Sequence, residues 1–310
     1  MKGLILMEKK QLGASNLFIS KLGLGCMSLG TDENKAKDII KAALDVGINY
    51  FDTADLYDFG VNEEIVGKSL KSVRDQVIIA TKVGNRWNKD QTGWTWDPSK
   101  SYIKEAVKAS LQRLQTDYID LYQLHGGTIE DNIDETIEAF EDLKKEGLIR
   151  YYGLSSIRPN VIREYVQKSN IISVMMQYSL LDRRPEETVL SLLKENNISV
   201  VTRGALAKGI LSEKALTKIP QQGYLSYTNK ELVELVKGIE SKLVKKNRSM
   251  TELALKYNLN NETVAAVITG ASSIHQIKEN AHVLQGNPLT KEEYLLLQEL
   301  SKQTSYSDHR

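Results

Sequence analysis

Eight short runs rich in Val, Ile, Leu and Tyr recur along the chain, at residues 21–25, 48–52, 77–82, 118–124, 149–155, 171–177, 198–203 and 264–269. Several are almost continuously apolar, as strands buried on both faces should be. Between them the period changes. Residues 36–46, 102–114 and 132–145 carry apolar side chains three and four apart; in 102–114 the stripe is Ile103, Val107, Ser110, Leu111 and Leu114, and in 132–145 it is Ile133, Ile137, Phe140 and Leu143. That spacing lays one face of a helix on a core. Strand and helix alternate through the whole sequence.

Eight such units exceed what an open doubly wound sheet normally holds, and Gly23, Gly25 and Gly30 lack the GxGxxG spacing of a dinucleotide-binding turn. The pattern therefore predicts an α/β fold, a (β/α)8 TIM barrel formed by residues 1–310 as one domain, with its site at the C-terminal ends of the strands. Residues 7–20 hold two short runs around 13–16 and predict a β-hairpin across the barrel floor. Two connections are longer than a plain barrel needs. Residues 84–98 carry Trp87, Trp94 and Trp96, all the tryptophans of the chain, and residues 204–229 form a second insertion. Long loops on a barrel's active face usually shape a ligand site. Two readings of the tryptophans stand: they line a substrate mouth, or they pack locally over the barrel top.

Polar side chains interrupt the apolar runs at their ends. Asp52 closes the second, Lys82 the third, and His125 follows the fourth. Neighbouring parallel strands lie about 5 Å apart, so groups on successive strand tips converge. Tyr57, five residues past Asp52, is near enough to fold over the same rim. A phenol is a weak acid, with an ordinary pKa of about 10, and a neighbouring ammonium stabilises its phenolate. Asp52 would keep that ammonium charged, and His125 would offer a second donor. Such a set protonates or polarises a carbonyl oxygen. By itself, the Asp52–Lys82 combination reads equally well as a buried ion pair. No side chain of the set donates hydride, so carbonyl reduction requires a cofactor.

Charge and composition narrow the classes. Forty-one Lys and Arg against 40 Asp and Glu leave +1, which provides no whole-chain field for nucleic acid. Cys26 is the only cysteine and there are four histidines, with His275, His282 and His309 far from the strand tips, so metal ligation is not expected. The apolar run of the N-terminus is too short for a signal peptide, and no stretch reaches the roughly 20 residues of a spanning helix. A cytoplasmic protein with no membrane partner is expected.

The second half carries groups suited to a cofactor. Ser155 and Ser156 end the fifth strand, Gln177 ends the sixth, and Tyr178 follows it. Neutral donors and acceptors suit a carboxamide, and an aromatic ring suits a flat heterocycle, although Tyr178 reads equally as packing. Arg203, Gly204, Leu206 and Gly209 follow the seventh strand. Gly270, Ser272 and Ser273 end the eighth before a helix, where backbone N–H groups favour an anion, although serines there also simply cap helices. Gln276, Glu279 and Asn280 share one side of that helix. Cys26 either faces a cofactor from the first strand tip or fills space.

Together these segments resemble the aldo-keto reductase family. The resemblance runs through Gly23–Met27, Asp52–Tyr57, Gly60–Glu63, Thr81–Lys82, Asp120–His125, Gly153–Ser156, Gln177–Ser179 and Gly270–Asn280, and is similar to the bacterial branch with an insertion after the seventh strand. It implies a barrel that binds NADP(H) without a Rossmann domain and reduces a small-molecule aldehyde or ketone to an alcohol. The implied catalytic residues are Asp52, Tyr57, Lys82 and His125, with Tyr57 as general acid and base. The implied cofactor contacts are Gly25, Cys26, Met27, Asp52, Ser155, Gln177, Tyr178 (stacked on the nicotinamide), Arg203, Gly204, Leu206, Gly209, Gly270, Ser272, Gln276, Glu279 and Asn280. Substrate contacts fall on Tyr57, Trp87, Trp94 and His125. Two departures stand out: Ser156 replaces a frequent Asn, and 270–280 holds only Lys278 besides His275 to grip a 2′-phosphate. The expectation is NADP(H) over NAD(H), and a monomer or weak homo-oligomer. The same family contains cofactor-bound regulatory subunits with little turnover, which is the alternative function.

Overall fold

The computed structural model describes residues 7–244 and 248–310. Eight parallel strands close into a barrel: β1 (Leu22–Gly25), β2 (Tyr50–Asp52), β3 (Ile78–Val83), β4 (Ile119–Leu124), β5 (Ile149–Ser155), β6 (Ser173–Gln177), β7 (Ser199–Arg203) and β8 (Val264–Gly270). Each pairs with its sequence neighbours, and β8 closes on β1 through Val267–Leu22 to Gly270–Gly25. Every residue of β3 and β4 is buried, because barrel side chains on one face and helices on the other exclude water. This is the (β/α)8 architecture that the alternating pattern predicts.

The helices lie where the three-and-four spacing puts them. Lys100–Leu114 buries Ile103, Ala106, Val107, Ser110 and Leu114, and Ser99 caps it by accepting from the Tyr102 amide. Ile133–Lys145 buries Ile133, Thr136, Ala139, Phe140 and Leu143. Acidic residues in its first turn and lysines in its last complement the helix dipole.

The floor is closed by an antiparallel hairpin, Lys9–Gln11 with Phe18–Ser20. Its Leu12, Leu17 and Ile19 are almost wholly buried and join Tyr50, Ile78, Leu121, Met175 and Val201 in the barrel interior. Each such side chain contributes about 1.5–3 kcal/mol by leaving water, so the N-terminal end is a plug and the opposite mouth carries the chemistry. The insertion after β3 forms a second hairpin, Asn85–Trp87 with Trp94–Trp96, over that mouth. The one after β7 contains a 3-10 turn, Ala207–Gly209, and the short helix Ala215–Lys218 before the helix Asn229–Lys242. Among the described residues no helix is long and apolar enough to cross a membrane.

Candidate active site

Barrel register places the polar strand tips. Asp52 pairs with Ala80, and Lys82 with Gln123, so Asp52, Lys82 and Gln123 rise to the mouth within two residues of one another. Lys82 Nζ donates to Asp52 Oδ1 at 2.6 Å and to the Thr53 carbonyl at 2.7 Å. Gln123 donates to the other Asp52 oxygen at 3.4 Å. Lys82 also reaches the Tyr57 hydroxyl at 3.5 Å. Burial alone would discharge Lys82, but the Asp52 carboxylate, together with the Tyr57 oxygen, raises it above the ordinary lysine value. The pairing favours the ammonium form of Lys82 beside a phenol.

Tyr57 is carried on a strained turn. Asp58 and Phe59 have φ of 48° and 51°, and Gly60 follows at 90°. Three left-handed residues in a row swing the chain from the end of β2 into the helix Val61–Leu70. His125 follows β4, its ring edge-on to Tyr57 with centroids 6.0 Å apart. Burial, then the positive charges of Lys82 and Arg203, push its imidazole down to about 3. It is neutral near pH 7. Among the described residues its Nδ1 is buried without a partner, which leaves Nε2 as the nitrogen available to a ligand.

Tyr57, Lys82 and His125 share a cavity of about 670 Å³ with Met27, Trp94, Trp96, Ser155 and Arg203. A second cleft, about 750 Å³, begins at Gly204, the residue after Arg203. Leu206, Gly209, Gly270, Gln276, Glu279 and Asn280 line it. At Gly270 a Cβ would stand 2.7 Å from Ser28 Oγ, so a larger residue there would displace the Ser28 hydroxyl. Ser273 caps the helix Ile274–Val283, whose N-terminal end opens on this cleft. Glycine walls, helix amides and a run of polar side chains fit an extended dinucleotide whose reactive end reaches the first cavity.

Other expected contacts lie elsewhere. Tyr178 is fully buried, its hydroxyl donating to Glu186 at 2.9 Å and its ring 6.0 Å from Tyr257. Side chains alternate along an extended chain, so with Gln177 at the mouth the next residue turns to the helices; Tyr178 offers no ring to a cofactor. Trp87 packs on Phe59 and under the Arg113 guanidinium, with ring contacts of 6.0 and 5.2 Å, and does not line the cavity. Trp96 lines it instead. The Cys26 side chain is wholly buried and its carbonyl is taken by Asn62. Ser272 is engaged with Gln276 through both its amide and its hydroxyl, and Ser273 faces the cleft. Met27 lines the substrate-side cavity rather than the cofactor cleft. Gly25 lines neither cavity and sits level with Gly270.

Gln177 lines neither cavity, yet is fixed between them. It donates to the fully buried Asp182 at 2.9 Å, and its oxygen accepts from Arg203 at 3.2 Å. Asp182 is itself gripped by Arg184 through two bonds of 2.7 Å. Neither Asp182 nor the cavity residues Asn85 and Arg158 has a periodic signal in the sequence; all three lie in irregular backbone or at the start of a loop strand.

Residues 21–302 match the model of the aldo/keto reductase family. The chain is 61% identical over 308 residues to the uncharacterized oxidoreductase YqkF of Bacillus subtilis, covering 98% of this chain and all of that relative. It is 30% identical to the NADH-specific methylglyoxal reductase of Escherichia coli, covering 96% and 99% of the two chains. Among solved structures it is similar to the holo form of aldo-keto reductase AKR11C1 from Bacillus halodurans, with 58% identity, a TM-score of 0.93, and coverage of 98% and 99%.

Proposed function

The chain belongs to the aldo/keto reductase family, a family of nicotinamide-dependent carbonyl reductases, and we propose that it is a working NADPH-dependent member in which Tyr57 protonates the substrate oxygen. The observation that carries this reading is the Lys82 ammonium 2.6 Å from Asp52 and 3.5 Å from the Tyr57 hydroxyl, at the floor of an open cavity. As a carbonyl gains electrons its oxygen becomes basic. Tyr57 releases a proton to that oxygen, and the Lys82 charge stabilises the negative phenolic oxygen left behind. Neutral His125 donates an N–H to the same carbonyl oxygen and fixes its direction. Asp52 holds Lys82 in place and charged. When bound, the nicotinamide supplies the hydride, which no side chain provides.

The cofactor is assigned from the second cleft. Gly204–Gly209 and Gly270–Asn280 would receive the diphosphate and adenosine, and Ser155 and Gln177 the carboxamide. Lys208, Lys214 and Lys218 also line this cleft and form no ion pair among the described residues. Glu213 and Glu279 line it as well, so the three lysines leave a modest positive excess, which favours the extra phosphate of NADPH over NADH. The lysines come from the insertion after β7, which explains how a β8 segment poor in cations still suits that phosphate.

Fluorescence titration with NADPH and NADH, followed by turnover of a panel of aldehydes, tests the proposal. Tighter NADPH binding and steady-state aldehyde reduction are expected. Preferential NADH binding would overturn the cofactor assignment. Tight NADPH binding without turnover of any carbonyl would favour a cofactor-bound regulatory subunit.

A further inference from the structure

Among the described residues, the side chains that line the substrate cavity include three cations, Lys82, Arg158 and Arg203, and no carboxylate. Lys82 is committed to Asp52. Arg203 is tied to the Gln177 oxygen, at the junction with the cofactor cleft. Arg158 is as sparsely bonded as Arg203, but it is half-buried where Arg203 is exposed, and it does not adjoin the cofactor cleft. Its half-buried guanidinium makes a single hydrogen bond among the described residues, from Nη1 to the Gly127 carbonyl at 2.7 Å. A guanidinium has five N–H donors in a rigid fork, so most of this one remains unused. Asp131, on the loop that carries Gly127, forms no ion pair with it among the described residues; its oxygens accept from Trp96 Nε1 at 2.9 Å and from the Thr128 amide and hydroxyl at 2.7 and 2.9 Å.

The bond to Gly127 also limits where the guanidinium lies. Gly127 is two residues beyond His125, and consecutive Cα atoms are about 3.8 Å apart, so His125 and Gly127 are separated by at most about 8 Å. The guanidinium therefore borders the loop that begins at His125 and lines the same cavity as the imidazole. A planar fork matches a carboxylate bidentately.

We propose that the carbonyl substrate carries a carboxylate, received by the Arg158 guanidinium while its carbonyl lies against Tyr57 and His125. The inference rests on the reductase reading above. It makes Arg158 a substrate-binding residue that selects oxo-acids over neutral carbonyls.

The test compares 4-formylbenzoate with 4-formylbenzamide, which share shape and differ in charge. With saturating NADPH, the wild-type protein is expected to show at least a tenfold higher kcat/KM for the anion, expressed mainly in KM. The ratio should collapse by tenfold or more in Arg158→Gln and be partly restored in Arg158→Lys, which keeps the charge and loses the fork. A wild-type ratio near one, or a ratio that survives Arg158→Gln, overturns the proposal. A calorimetric titration with the unreactive pair 4-methylbenzoate and 4-methylbenzamide reads the same site without turnover. If neither aldehyde is reduced with NADPH or NADH, the reductase reading fails and this titration decides alone. Anion-selective binding abolished by Arg158→Gln supports the carboxylate site, and absence of selectivity overturns it.

Discussion

Lys82 Nζ lies 2.6 Å from Asp52 Oδ1, and the two side chains are only 1% and 5% exposed. Two charges so far from water are tolerable only together. Removing one partner of a buried pair typically costs about 3–5 kcal/mol, whereas removing both costs much less. The pair therefore serves stability and chemistry at once, and the two roles separate by mutation.

Lys82→Met and Asp52→Asn are each expected to lose about 3 kcal/mol of stability or more in urea unfolding, because each strands a buried group. The double variant should be more stable than the less stable single variant yet reduce carbonyls no better than Lys82→Met. A double variant that regains turnover would show that the charge next to Tyr57 is dispensable.

His125 gives a pH prediction with a definite sign. Its folded value lies near 3, depressed by burial and by Lys82 and Arg203, whereas an unfolded histidine titrates near 6.5. Between those values the unfolded chain binds a proton that the folded chain refuses. This contribution is intact above about pH 6.5 and is lost as pH falls toward 3, by up to about 1.4 kcal/mol per pH unit. His125→Gln should flatten the slope of stability against pH in that window. An unchanged slope would place a proton on the folded imidazole.

Gly60 and Gly30 both have positive φ, at 90° and 73°. Among the described residues a Cβ at Gly30 would meet nothing within 4 Å, whereas at Gly60 it would stand 2.7 Å from Arg113 Cδ and 2.8 Å from Trp87 Cη2. Gly30→Ala should carry only the backbone penalty, roughly 1–2 kcal/mol. Gly60→Ala adds overpacking of about 1–3 kcal/mol and shifts the turn that presents Tyr57, so it should also lower kcat. Equal urea midpoints for the two variants would contradict this account of the turn.

Asp182 holds the Gln177 amide with its oxygen toward Arg203. Asp182→Asn keeps the shape but replaces an acceptor-only group with one that also donates, so the amide loses its unique orientation. A several-fold rise in Kd for the nicotinamide cofactor is expected in fluorescence titration. Unchanged affinity would separate Gln177 from cofactor binding.

Much of this architecture is legible in the sequence, because strands buried on both faces leave unbroken apolar runs. The run at 149–155 coincides with β5, and that at 171–177 overshoots β6 by two residues at its start. The convergence of Asp52, Lys82 and His125 follows from counting strands, since parallel register brings successive tips to one rim. Tyr178 was legible as an aromatic beside the mouth, but its direction depends on the alternation set by Gln177. Trp87 sits in the same hairpin as Trp94, and only three-dimensional packing against Phe59 and Arg113 removes it from the cavity. Arg158 leaves no pattern at all. It gains meaning from a bond to Gly127, 31 residues earlier in the chain.

The most direct test of the central claim is single-turnover oxidation of bound NADPH by an aldehyde, in the wild-type protein and in Tyr57→Phe. The variant keeps the ring and loses the proton that the substrate oxygen needs. It is expected to bind NADPH within about twofold of wild type and to turn over at least about 10²-fold more slowly, the usual contribution of a positioned general acid. NADPH oxidation at the wild-type rate in Tyr57→Phe would contradict the account.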